Sequence, residues 1–120
     1  MPRLTDPIRL LAYKDALRNW NYTGYIQFEL TEEAHRWIRR ELDDVSLKEL
    51  GRRMFEHVAA GGEIDEVVEA RPEWLGQYEF HHDLRFRIQD KDVYIETRLH
   101  YRLPLVADES WILVVNVHAQ

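Results

Sequence analysis

From Tyr78 to Tyr101 the side chains alternate, and that alternation limits the folds open to this chain more than any other feature. The even positions are Tyr78, Phe80, His82, Leu84, Phe86 and Ile88, and the odd ones are Glu79, His81, Asp83, Arg85 and Arg87. After Gln89-Asp90-Lys91-Asp92, Val93, Ile95, Thr97, Leu99 and Tyr101 fall on one side, with Tyr94, Glu96, Arg98, His100 and Arg102 on the other. Successive side chains of a strand point to opposite faces, so a period of two predicts a β-hairpin with one buried and one wet side. A two-residue turn at Asp90-Lys91 closes it most economically. That register sets Arg87 opposite Tyr94, Arg85 opposite Glu96, Asp83 opposite Arg98 and His81 opposite His100. Trp111 to His118, almost continuously apolar, predicts a third, central strand.

The preceding residues carry helical signals. Asp6-Pro7 pairs an N-cap with a proline at the first helical position, and Ile8, Leu11, Ala12 and Tyr13 begin a stripe. Tyr25 to Leu30 alternates as a short edge strand. Thr31 caps a second helix whose first turn holds Glu32 and Glu33, and whose buried stripe is Ala34, Trp37, Ile38 and Leu42. Ser46-Leu47-Lys48-Glu49 fits a capping box ahead of Leu50, Met54 and Val58, and Gly61-Gly62 ends that helix. Asp65 to Ala70 predicts one more short turn. Helices first and an antiparallel sheet of three to four strands afterwards make an α+β fold, one domain over residues 1–120.

Aromatic content and a 45% hydrophobic share fit a folded domain, and the absence of cysteine excludes disulfides and thiolate chemistry. No basic-then-apolar leader and no apolar run of spanning length occurs, so a cytoplasmic protein with no membrane partner is expected. The net charge is −6, which excludes a whole-surface field for polyanions. An anion site must be local.

The wet face of the hairpin supplies one. A register matching Tyr94 to His118 brings Glu96 beside Asn116, and gathers Arg85, Arg87, Tyr94, Glu96, Asn116 and His118 into a patch that also holds Arg98. These side chains suit cleavage of RNA at its own 2′-hydroxyl. Glu96 takes the 2′-proton, His118 returns one to the leaving oxygen, and Arg85 and Arg87 stabilise charge on the phosphorus. Tyr94 positions the phosphate or stacks a base. The scheme needs no metal and no other cofactor.

The runs Asp92-Val93-Tyr94-Ile95-Glu96-Thr97 and Ile112-Leu113-Val114-Val115-Asn116-Val117-His118 resemble the C-terminal sheet of the RelE/MqsR-type toxin ribonucleases. Trp74 and Tyr78 ahead of a charged strand are similar to the MqsR branch. The resemblance covers the last third of the chain and implies a barnase/RelE-like architecture of N-terminal helices on an antiparallel sheet. It also implies single-stranded RNA as substrate, a cognate inhibitory protein as partner, and Glu96, Arg85, Arg87 and His118 as the catalytic set.

Other readings compete. Cross-strand pairs of opposite charge also stabilise a hairpin, by about 0.2–1 kcal/mol each, which fits a non-catalytic interaction module of the same shape. A small-molecule pocket between helices and sheet is a third possibility. His81, Asp83 and His100 share a face and could meet a metal, but surface histidines usually do not. His82 faces the core and should be hydrogen-bonded there. Arg36-Arg39-Arg40 and Arg52-Arg53 could touch phosphate, although neighbouring carboxylates make solvated helix faces the simpler explanation.

Overall fold

A computed structural model describes residues 2–120. Helix α1 spans Pro7–Arg18, strand β1 Ile26–Phe28, α2 Glu32–Glu41, α3 Leu47–Ala59 and β2 Asp65–Val68. The short α4 covers Pro72–Leu75, and β3 Phe80–Ile88, β4 Lys91–His100 and β5 Trp111–Ala119 complete the chain. The α+β class follows directly. No helix among the described residues is long and apolar enough to cross a membrane.

The caps read from sequence form as side-chain bonds, each worth about 1 kcal/mol. Asp6 accepts from the Arg9 amide at 2.9 Å, Thr31 from Ala34 at 3.1 Å and Ser46 from Glu49 at 3.0 Å. Only half of the Ser46 capping box is made, because the Glu49 carboxylate instead holds Arg52 and Arg53. In α1 the buried side chains are Ala12, Tyr13, Ala16 and Leu17, whereas Ile8 and Leu11 are exposed.

The sheet is larger than expected and mixed. Five strands run in the order β1-β5-β4-β3-β2, with β1 parallel to β5 and the remaining pairs antiparallel. The extra strand is β2, formed where a short turn was expected. Asp65, Glu66 and Val67 pair with Asp83, His82 and His81, and the segment before α1 covers the outer side through an Arg3–Asp65 bridge. Polar pairing favours the extended form: Asp65 and Glu66 form ion pairs with Arg85 and Arg9, and Glu66 also hydrogen-bonds His82.

The hairpin closes one residue earlier than expected. Gln89 and Asp90 form the turn, both with positive φ (50° and 65°), and Ile88 pairs with Lys91. Two successive residues of that hand match the twist of the flanking strands. The Gln89 side chain also donates to the Asp43 carbonyl at 2.6 Å. Partners therefore shift by two residues: Arg85 lies opposite Tyr94, Asp83 opposite Glu96 and Arg87 opposite Asp92. A shift of two keeps every side chain on its face.

Between β4 and β5 the expected register holds at Tyr94–His118 and Glu96–Asn116. A bulge then changes the phase, so that Thr97 pairs with Val114 and Leu99 with Ile112. Ile112, Val114 and Val117 consequently all face the core, whereas an unbroken alternation along β5 would have put Ile112 and Val114 on the face of Asn116 and His118. The helical side of the sheet packs Leu84, Ile95, Ile112 and Val114 against Tyr13, Leu17, Leu50 and Met54 in one cluster.

Candidate functional site

The opposite face is not uniformly wet. The chain from Glu69 to Tyr78, including α4, folds back over part of it through Glu69, Arg71 and Trp74, where Glu96 (2% exposed) and Arg98 (0%), both expected to be exposed, are buried. Arg98 carries the cover. Its Nε lies 2.7 Å from Glu69 Oε2 and its Nη1 2.9 Å from Glu96 Oε2, and its guanidinium sits 5.2 Å from the Trp74 ring centre. The remaining Nη2 has no acceptor among the described residues. Arg71 reaches Glu96 from above at 3.1 Å. A carboxylate with two guanidinium partners and almost no exposure anchors these chains. It is poorly placed to abstract a substrate proton.

Beyond the cover the face opens into a cavity of about 550 Å³ lined by Arg71, His81, Asp83, Arg85, Tyr94, Glu96, His118 and Gln120. Tyr94 is packed on both sides. The Arg85 guanidinium lies 4.8 Å from the ring centre, and His118, across the β4–β5 ladder, stacks on it at 4.6 Å and 26°. Burial, reinforced by the charges of Asp83 and Glu96, pushes the Tyr94 hydroxyl well above the usual phenol range. It is therefore a proton-bearing donor at neutral pH. Arg85 is also paired with Asp65 of β2, which holds its side chain over the cavity.

His81 supplies the feature that residue types alone did not single out. Its Nδ1 lies 2.8 Å from Oδ1 of Asp83, a carboxylate only 1% exposed, while the imidazole is partly accessible. Such a bond fixes the tautomer with hydrogen on Nδ1 and turns the Nε2 lone pair outward. The other Asp83 oxygen has no partner among the described residues. At the far end His118 is exposed, and its Nδ1 lies 2.6 Å from the Ala119 carbonyl, which likewise leaves Nε2 for a ligand. From strand spacings, the two histidine Cα atoms stand about 16 Å apart on either side of the cavity.

Of the residues expected at the site, Arg85, Tyr94, Glu96 and His118 line this cavity. Arg87 does not. It is exposed near the turn, where it donates to the Asp90 carbonyl at 3.0 Å and lies 3.4 Å from Asp92. Asn116 opens instead into a neighbouring groove against α2, and Arg98 is enclosed beneath α4. Arg71, His81 and Asp83 are the additions. The two-residue spacing of His81 and Asp83 already put them on one face, but the expected register gave Asp83 to Arg98. His100, the third member of the metal reading, stacks on Trp111 at 3.5 Å and bonds the Tyr78 hydroxyl. No group of three or more metal-ligating side chains occurs among the described residues.

His82 lies on the opposite face, buried as expected, with Nε2 3.0 Å from Glu66. Comparison with known proteins brings no match to a family model, a curated protein or a solved structure.

Proposed function

We propose that this chain is a metal-independent endoribonuclease whose acid–base pair is His81 and His118. The observation that carries the reading is the His81–Asp83 bond at the edge of a cavity shared with a second accessible imidazole and two arginines. His81 Nε2 accepts the 2′-hydroxyl proton as the 2′-oxygen attacks phosphorus. The P–O5′ bond breaks, and the departing oxygen takes a proton from His118 Nε2. The products are a 2′,3′-cyclic phosphate and a 5′-hydroxyl. Arg71 and Arg85 neutralise charge that builds on the phosphoryl oxygens, with the Tyr94 hydroxyl as a further donor. Asp83 orients His81 and stabilises its protonated form, without itself taking the proton.

This assignment moves the base from Glu96 to His81 and keeps His118 as the acid. The resemblance to toxin ribonucleases supports the same reaction class, and with it a cognate inhibitory protein as partner. Incubation of the purified chain with varied single-stranded RNAs, followed by end-group analysis, tests the reading. Cyclic phosphate ends formed equally with and without chelator are expected. Intact RNA would overturn it.

A second reading, a non-catalytic interaction module, draws on exposed Leu11 and Val106. They line a groove of about 340 Å³ between α1 and the loop before β5. Substitution of both by aspartate would release a partner bound in that groove, in a chain that leaves RNA intact.

A further inference from the structure

We propose that the groove between α2 and the end of β5 is a second subsite, holding the nucleotide on the 3′, leaving-group side of the cleaved bond. The inference rests on the ribonuclease reading and extends it. Strand β1 leaves β5 opposite Val114, so the outer edge of β5 beyond it faces α2 rather than another strand. There a cavity of about 300 Å³ is lined by Arg36, Trp37, Arg40, Asn116 and His118, with Glu33 at its wall. His118 also lines the reaction cavity, so the two spaces meet at the side chain that protonates the leaving oxygen. A strand whose phosphate sits beside Tyr94 enters this groove with its next nucleotide.

The charges agree with that path. Arg52 and Arg53 of α3 are both held by Glu49, and Arg52 also by Glu56. Arg36, in contrast, has no carboxylate within ion-pair distance among the described residues, and Arg40 has only its neighbour Glu41 at 3.5 Å. Residues four apart share a helix face, where two like charges repel. An incoming phosphate relieves that repulsion, and the exposed guanidiniums can bind it bidentately. Trp37, partly buried against the core, gives the groove an apolar wall for a base. Asn116 turns its carbonyl oxygen to the Val117 amide at 3.0 Å, which leaves its NH2 group to donate to a base edge.

The test compares wild type with the double variant Arg36→Ala/Arg40→Ala on two substrates. One is a single-stranded oligonucleotide with a single ribose, hence one cleavable bond. The other is the set of four nucleoside 3′-(4-nitrophenyl phosphates), which undergo the same attack but have no nucleotide on the leaving side. Expected is a loss of kcat/KM of about tenfold or more on the oligonucleotide, with no change on the aryl esters and an unchanged melting temperature. Equal loss on both substrates, or on neither, would overturn the subsite. If wild type cleaves neither substrate, the ribonuclease reading fails by itself. Fluorescence anisotropy with an all-deoxy oligonucleotide then decides the groove: weaker binding by the double variant supports it, and equal or absent binding overturns it.

Discussion

Nδ1 of His81 and Oδ1 of Asp83, two residues apart on one strand, lie 2.8 Å from each other, with the carboxylate buried and the imidazole open to a cavity. The bond selects one tautomer and favours the imidazolium form that appears when His81 accepts a proton. Asp83→Asn preserves volume but offers an amide that can stabilise the wrong tautomer. The expected result is a fall in kcat of about 10²–10⁴-fold, the range for loss of acid–base function, with KM little changed. A variant with wild-type kcat would remove His81 from the mechanism.

His118→Ala should slow RNA cleavage by about 10²–10⁴-fold. It should leave the 4-nitrophenyl esters nearly unaffected, since nitrophenolate departs without a proton. Parallel losses on both substrates would show that His118 acts through structure rather than as the acid.

Glu96→Gln should act mainly on stability. Removing one charge leaves the fully buried Arg98 with Glu69 as its remaining carboxylate partner, and breaking a buried pair costs about 3–5 kcal/mol. Urea unfolding should report that loss. A variant as stable as wild type yet inactive would return Glu96 to the role of base.

Asp90→Gly should stabilise the chain by about 0.5 kcal/mol, because Asp90 sits at φ 65° in a two-residue turn that favours glycine at its second position. The carbonyl that accepts from Arg87 belongs to the backbone and is retained. Destabilisation on thermal melting would reject the Gln89-Asp90 turn.

Acid should unfold the chain partly through His82. Burial pushes this imidazole below its ordinary value, against the opposing effect of Glu66, while Arg9 lowers it further and Asp83 raises it. Below about pH 6.5 the unfolded chain takes up a proton that folded His82 resists, so stability falls from there down to the folded value. Glu66 acts in the same sense at lower pH. Burial raises it, but Arg9 and His82 together hold it below the usual carboxylate range, so its contribution is lost as it protonates. His82→Gln should therefore flatten stability against pH between about 6.5 and 5. An unchanged slope would assign the loss to His57 and His100, which burial also lowers.

Local chemistry wrote much of the fold into the sequence. Asp6, Thr31 and Ser46 became N-caps because each needs only an amide three residues on, and the period of two gave both hairpin strands their correct faces. That period also survived a misplaced turn, since the true register differs by two and returns every side chain to its side. The same period placed Tyr94, Glu96, Asn116 and His118 on one face, while the Tyr94–His118 and Glu96–Asn116 pairings among the registers that keep that face are fixed by the folded sheet.

What sequence could not specify depended on distant residues. The bulge after Glu96 repositions Ile112 and Val114 through pairing with another strand. Residues 65–68 become β2 because Arg85, Arg9 and His82 meet their carboxylates across the sheet, partners far away in the chain. Burial of Glu96 and Arg98 requires α4 and Glu69 to fold over a face whose alternation alone reads as solvent-exposed. The alternation determined which side chains share the candidate site. Only tertiary packing decided which are sealed as anchors and which, like His81 and His118, remain open to a ligand, because accessibility depends on what covers a face and not on the strand that displays it.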